Sequence, residues 1–347
     1  MIVSFVFPSS HQRTGGVTML YEYANALARR GHEIHFVHSP KWEHRVDRVE
    51  QIPFAFEASV QHHIVDSPDD ASLPVGDVQF GWKGSRLGHP AVFVQGFRLL
   101  GARADAPSYR SATPKVCTAS WLVDVGRAYG LPEHQLVHVP YGMDHETFAV
   151  RNSSRRSIDV AMLYHPLREK GWDVGRQVLE RLAQHRPGFR AVVFTLADPP
   201  PEPLPDGVEV MVGLDHRRLA DEVYNDTRVF IQTSYHEGFG LTAIEAMACG
   251  AALVTTDCGG SRDYAFGGET AWVVPAGNAT LLADGVETLL ADDARRVALA
   301  DAGARYVRKF DWDRSGELLE AFLERYIADP KAYQQEPGED RSAEFTL

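Results

Sequence analysis

The chain is poor in cysteine: Cys117, Cys249 and Cys258 are the only three in 347 residues, widely spaced and with no Cys-x-x-Cys pair. That argues against a disulfide framework and against a structural zinc site. A reducing cytoplasm is the default setting, with each thiol a small buried hydrophobe. No apolar run reaches the roughly 18 to 20 residues that a membrane-spanning helix needs. Positive charge is in deficit, 35 Lys and Arg against 47 Asp and Glu, for a net charge of −12. Such a balance argues against general affinity for nucleic acid, while leaving room for a local basic patch and peripheral contact at the inner face of a membrane. The opening residues, Met1-Ile-Val-Ser-Phe-Val-Phe-Pro8, have no basic stretch and no small-residue cleavage site. They read as a first buried strand rather than a secretion signal, and without secretion the sequons at Asn152, Asn225 and Asn278 carry little weight.

What is present is ordinary globular composition, 44% apolar and 24% charged, in a chain long enough for two domains of roughly 150 residues. Short apolar runs alternate with amphipathic stretches, the pattern of parallel α/β construction. In the first half, strands are expected at 2–8, 34–38, 91–95 and 115–119. Helices are expected from Gly15-Gly16 to about Arg30 and over 121–129, while 40–90 shows no clear elements. The polar, aperiodic Arg151-Asn-Ser-Ser-Arg-Arg-Ser157 is the best interdomain linker. Alternation then restarts, with strands at 158–163, 190–196, 208–212, 229–233 and 252–256. Helices follow at 172–185, 215–224, 241–249, 279–291, 293–308 and 314–327, and Asp198-Pro-Pro-Pro-Glu-Pro-Leu-Pro205 must be a loop. The division is therefore 1–150, 151–311, a C-terminal helix within 312–332 that crosses back to the first domain, and an acidic tail, 333–347, read as disordered. Two such α/β domains facing one another make a cleft, and open α/β sheets bind ligands beyond the carboxyl ends of their strands.

The most informative segment is Ser234-Tyr-His-Glu-Gly-Phe-Gly-Leu-Thr-Ala-Ile-Glu245. It leaves a β-rich run and enters a helix, so its glycine loop sits at a helix N-terminus, where unsatisfied N–H groups and a partial positive charge accept phosphate oxygens. Gly238 and Gly240 remove side chains where backbone must approach a ligand. Two carboxylates beside a phosphate-binding helix start make little sense for an anion alone. They do make sense for a ligand that also carries hydroxyls, which donate charge-assisted hydrogen bonds to Glu237 and Glu245.

This segment resembles the Glu-x7-Glu signature of family-4 retaining glycosyltransferases, which have the GT-B fold of two Rossmann-like domains. Thr14-Gly15-Gly16, Lys170-Gly171 and Ala252-Leu-Val-Thr-Thr-Asp-Cys-Gly-Gly260 extend the resemblance over nearly the whole chain. It implies an acceptor-binding first domain and a donor-binding second one. Glu237 would hold the donor sugar's hydroxyls and Glu245 the ribose hydroxyls. The backbone of Gly238, Phe239, Gly240, Leu241 and Thr242 would meet the sugar and diphosphate, with Gly15 and Gly16 approaching the same phosphates. It further implies a metal-independent transfer, without a cofactor, from a nucleotide-diphosphate-sugar (a hexosyl or deoxyhexosyl donor) to a hydroxyl on a saccharide, lipid-linked sugar or natural product. Retention would come by attack on the leaving-group face, with Glu237, Lys170 and Arg168 as the catalytic groups.

The sequence departs from the pattern at two places. The family's diphosphate Arg, five residues before Lys170, is here His165, so either His165 or Arg168 supplies that contact. If His165 does, donor binding weakens as it loses its proton with rising pH. Where relatives carry a His facing the sugar, this chain has Gln95, which cannot carry a proton at neutral pH. Gln95, Phe97 and Arg98, with Trp42 and Trp82, are the acceptor candidates. Asp144 reads as a hinge or capping residue. Asp311-Trp-Asp313 has an Asp-x-Asp form but precedes the last helix and reads as an N-cap. His32, His35 and His38 cannot all converge on one metal, because a strand alternates its faces, and His62-His63 has no support as a site. A nucleotide-sugar epimerase on the same fold, or a catalytically idle partner subunit, remain as alternatives.

Overall fold

The computed structural model describes residues 1–7, 15–38, 46–67, 70–81, 86–97, 107–151 and 156–344. Thr14, Trp42, Trp82 and Arg98 lie outside the described residues. The chain forms two compact units, one of Met1–Gln95, Leu100–Gly142 and Phe310–Thr346, the other of Gly96–Leu99 and Met143–Lys309.

In the first unit seven parallel strands run in the order β3-β2-β1-β4-β5-β6-β7. They are β1 (Ile2–Phe7), β2 (Glu33–His38), β3 (Gln61–Ile64), β4 (Val78–Gly81), β5 (His89–Val94), β6 (Lys115–Cys117) and β7 (Leu136–His138). The central strand β1 is apolar almost throughout because a parallel sheet is covered on both faces. Its Phe5 packs against Phe36, Phe80 and Phe93, with ring centroids 5.3–6.2 Å apart. Helix α1 (Gly15–Arg29) follows β1, and α2 (Ser120–Ala128) follows β6.

The chain's last long helix (Trp312–Ala328, α7 in chain order) belongs to this unit. Asp311 caps it, accepting from the N–H groups of Asp313 and Arg314, which is the N-cap arrangement its sequence suggests. Trp312 meets Tyr23 of α1 edge-on at 5.2 Å, and Glu320 receives Arg30 and His32, each at 2.7 Å. The stretch after it differs from the disordered tail expected of its composition. Gly338 N–H donates to Gly130 O (2.8 Å), Arg341 N–H to Ala128 O (2.7 Å), and Gln135 Nε2 to Gln335 O (3.1 Å). Polar composition hides this order because the partners are backbone groups, which a hydropathy pattern does not register.

The three strand and helix-end histidines separate, as alternation requires. His32 goes to Glu320, His35 pairs with His63 (2.8 Å) and Glu33 (3.0 Å), and His38 pairs with His62 (2.9 Å). Among the described residues no group of three metal-ligating side chains forms. Burial, then the His62 and His63 rings, push His38 down to about 3. A histidine depressed in the folded state binds its proton better unfolded. Its contribution is therefore intact above the unfolded value near 6.5 and is lost as pH falls from there toward 3. Between pH 7 and 4.5 this one group should cost roughly 2–3 kcal/mol. Melting temperature against pH checks it: His38→Gln should flatten the acid limb, and an unchanged limb would refute the assignment.

In the second unit six parallel strands run β10-β9-β8-β11-β12-β13. They are β8 (Ile158–Leu163), β9 (Ala191–Thr195), β10 (Val208–Val212), β11 (Thr227–Gln232), β12 (Ala252–Asp257) and β13 (Trp272–Pro275). The helices are α3 (Trp172–His185), α4 (Leu241–Ala248), α5 (Ala279–Ala291) and α6 (Asp293–Val307). The core beside the sheet joins Val160, Val193, Val229 and Val254 to Val178, Leu182, Val286 and Leu289 of α3 and α5. Where a continuous helix is expected at 215–224, a short turn capped by Asp215 widens into a π turn over Leu219–Val223 and closes in a 3₁₀ turn at Tyr224–Asp226. Asn225 Nδ2 donates to the Ala220 carbonyl at 3.1 Å, an alternative to the helical ladder, and Tyr224 is thereby turned inward.

Candidate functional site

The site is built where two loops beyond the carboxyl ends of β8 and β11 are stapled together. After β8 the chain makes a 3₁₀ turn at Arg168–Lys170 and leaves it through Gly171 at φ 67°. A Cβ there would lie 2.0 Å from the Thr233 carbonyl oxygen, so only glycine fits against β11's extension. The Glu169 carbonyl accepts the N–H groups of Tyr235 (2.7 Å) and His236 (3.3 Å), and Thr233 Oγ1 donates to Lys170 O at 3.2 Å. These bonds bring two segments some 65 residues apart in sequence into one surface.

Their result is a close ion pair. Lys170 Nζ lies 2.6 and 2.8 Å from the two carboxylate oxygens of Glu237, and Ser234 Oγ donates to Glu237 Oε2 at 3.0 Å. The backbone of Glu237 is fixed from the other side: its N–H donates to Cys258 O (2.8 Å) and its carbonyl accepts from Gly260 N–H (3.0 Å). Thr256 Oγ1 holds Ser234 O at 2.6 Å. The Thr255-Thr-Asp-Cys-Gly-Gly260 run thus serves as the backing of the Glu237 loop. A Cβ at Gly260 would stand 2.5 Å from Phe239 O, which explains the glycine.

The loop then enters α4 through Gly240, at φ 101° and without a side chain to cap the helix. The first amides engaged within the helix are those of Ala243 and Ile244, both bonding to Gly240 O. The N–H groups of Leu241 and Thr242 stand ahead of that ladder, at the positive end of the helix dipole. Phe239 is a packing residue, 2% exposed and edge-on to Tyr264, so its backbone and not its ring is what the loop can offer. Gly238 occupies the bend between Glu237 and Phe239.

Glu245, one turn into α4, is buried, and Tyr224 Oη donates to its Oε2 at 3.1 Å. Burial raises its carboxyl above the ordinary value, while His216 and the Tyr224 hydrogen bond pull it back. Sequence reading gave no sign of Tyr224, whose inward turn depends on the irregular 219–226 geometry. Ser234 is legible in the sequence, since a hydroxyl three residues before a loop carboxylate is within reach of it.

Of the two candidates for the diphosphate cation, Arg168 is exposed with its guanidinium 5.9 Å over the Tyr235 ring. His165 Nδ1 accepts the Leu167 N–H at 3.1 Å, which places the imidazole proton on Nε2. Burial first, then Lys170, lower its pKa from 6.5. In the empty site His165 is therefore an N–H donor without charge near neutrality. Lys170 is the cation that the turn brings to Glu237.

Gly15 and Gly16 open α1, and Gln95 Nε2 donates to Gly16 O at 2.9 Å. Gln95 is thus a brace for the glycine start. Phe97 is buried at 2% exposure, a packing position with no ring face to offer an acceptor. Asp144 caps a turn, accepting from the N–H groups of Glu146 (2.9 Å) and Thr147 (3.0 Å).

Two sheets of parallel strands with their flanking helices are the arrangement found in solved glycosyltransferases of the GT-B fold. Residues 202–306, which include the Glu237 loop and α4, match the family model "Glycosyl transferases group 1". A D-inositol 3-phosphate glycosyltransferase from Xylanimonas cellulosilytica is 33% identical over 224 residues, 56% of this chain and 52% of that protein. The chain thus spans about half the length of that relative, and 24% of a Corynebacterium jeikeium protein of the same name. Among solved structures, sucrose-phosphate synthase from Thermosynechococcus elongatus superposes with a TM-score of 0.70 at 17% identity, covering 94% of this chain and 99% of that one. Anabaena HepE, solved in complex with UDP and glucose, gives 0.67 at 14% identity, covering 94% and 100%. At such identities the structural likeness speaks for the fold.

Proposed function

We propose that this chain is a retaining glycosyltransferase that binds a nucleotide-diphosphate-sugar on its second unit and transfers the sugar to a hydroxyl acceptor. The observation that carries the reading is the cluster of Lys170, Glu237 and Ser234 beside the uncapped start of α4. It offers a cation and free amides for phosphate oxygens, and a carboxylate for sugar hydroxyls, in one place. Glu245 takes the ribose hydroxyls through its remaining oxygen, with Tyr224 holding the other. The relative named as a glycosyltransferase and the neighbour solved with UDP and glucose support the donor class.

In this reading the leaving phosphate takes the acceptor's proton as the sugar passes through an oxocarbenium-like state. The protein contributes position and charge stabilisation. Lys170 and the α4 amides meet charge growing on the diphosphate, so no metal is required and chelator leaves the rate unchanged. Among the described residues no helix is long and apolar enough to cross a membrane.

The test begins with calorimetry against UDP, GDP and dTDP, followed by transfer assays with the sugar donor of whichever base binds. Glu237→Gln should cut transfer by about 10²–10³-fold while its melting curve stays that of the parent. Equal transfer by the variant at saturating donor would remove Glu237 from the reaction, and absence of binding by all three nucleotides would remove the donor site. Incubation with donor alone separates transfer from epimerisation, which needs no acceptor.

A further inference from the structure

We infer that the Lys170–Glu237 ion pair acts as an internal competitor of the spent nucleoside diphosphate, favouring its release while leaving the sugar-bearing donor held. The inference rests on the donor-site reading above and concerns the empty and product states of that same site.

Lys170 directs N–H groups at both oxygens of Glu237, 2.6 and 2.8 Å away, and Ser234 fills a further position on Oε2. The side chains are 22% and 13% exposed, so water screens the pair only in part. Mobility is unequal. Glu237 is fixed at both its N–H and its carbonyl by the 258–260 loop, and Ser234 steadies its carboxylate. Lys170 stands on a four-carbon stem with freely rotating bonds. Two of the three ammonium N–H groups are committed to Glu237, so a ligand phosphate that engages more than the third must draw Lys170 off the carboxylate.

The consequences differ for the two forms of the ligand. With a sugar in place, its hydroxyls donate to Glu237 and replace the N–H groups that Lys170 withdraws, so the carboxylate is never left bare. With nucleoside diphosphate alone nothing replaces them, and the half-buried carboxylate is deprived of its partner, a costly state. Each transfer event thus converts a ligand that satisfies both members of the pair into one that satisfies a single member. Re-forming the pair then assists departure of the product.

The test is calorimetric titration of the nucleoside diphosphate that binds the parent protein into the parent, Glu237→Gln, Lys170→Met and the double variant. Glu237→Gln should bind it about 5- to 10-fold tighter, the reverse of its effect on transfer. In the Lys170→Met background the same change should alter affinity less than 2-fold, because no competitor remains to be relieved. Unchanged or weaker binding by Glu237→Gln overturns the inference and leaves the donor site standing. An undiminished gain without Lys170 also overturns it, since simple repulsion between carboxylate and phosphate would then suffice. No binding by the parent overturns the donor-site reading, and the inference with it. Glu237→Ala, which leaves no hydrogen-bonding group behind, should move in the same direction. Melting curves of all variants confirm that folded protein is compared.

Discussion

Lys170→Met is expected to lower sugar transfer by about 10²–10³-fold, the cost of removing one pre-positioned charged donor from a developing anion. Methionine keeps the length and apolar stem of lysine, so the change is confined to the ammonium. Two effects follow, and their sizes separate them. The diphosphate loses its cation, with His165 uncharged near neutrality and its Nδ1 already occupied by Leu167 N–H. Glu237 also loses its counter-ion, but retains Ser234 Oγ and 13% side-chain exposure. Its loss should therefore cost stability about 1–2 kcal/mol, short of the 3–5 kcal/mol of a fully buried broken pair. A modest drop in melting temperature with near-complete loss of transfer is the expected outcome, measured by calorimetric melting beside initial rates. Parent-like transfer by the folded variant would move the catalytic cation elsewhere. Lys170→Arg should restore only part of the rate, because a planar fork does not reproduce the point charge in a turn this tight.

Much of the architecture is legible because parallel α/β construction writes itself as alternating apolar runs and amphipathic stretches. The buried run Ile158–Leu163 and the amphipathic Trp172–His185 need no tertiary information to be placed. What escapes has its cause elsewhere in the fold. Strand β3, Gln-His-His-Ile, is too polar to read as a strand, and its two imidazoles are matched by His35 and His38 on the neighbouring strand. Strand β13 is four residues ending in proline at the sheet edge, where a missing N–H costs nothing. The ordered 333–344 stretch is held by backbone groups of residues 128–130, some 200 positions away.

The site divides along the same line. Glu237, Gly240 and the helix start can be found from spacing, because loop, glycine and helix are local in sequence. Lys170 can be nominated from its own turn, but its pairing with Glu237 depends on the Glu169 carbonyl taking amides from the β11 loop. Tyr224 behind Glu245 follows from a π turn that periodicity reads as ordinary helix.

Gly240→Ala should have the largest effect on folding, and its size can be apportioned. At φ 101° and ψ 55° the residue is in a left-handed conformation that costs a side-chain-bearing residue about 1–2 kcal/mol. A Cβ would also lie 2.1 Å from Tyr264 Oη and 3.0 Å from Gln232 Nε2. Neither can simply move away: Tyr264 is fully buried and its hydroxyl donates to Gln232 Oε1 at 3.1 Å. Overpacking of this kind adds about 1–3 kcal/mol, for a sum of roughly 2–5 kcal/mol. In a unit of this size that corresponds to a fall of roughly 5–15 °C in melting temperature. Gly268→Ala is the internal standard, since Gly268 has a similar φ of 79° but nothing within 4 Å of the added carbon; it should show the backbone cost alone. Tyr264→Phe removes the obstructing oxygen, so Gly240→Ala should cost less in that background than in the parent, a non-additivity that reports the contact directly. Equal melting of Gly240→Ala and Gly268→Ala would mean that the loop gives way around the new methyl. In that case the α4 amides are not held rigidly enough to be a preformed phosphate site, and donor binding should weaken even though the protein remains folded.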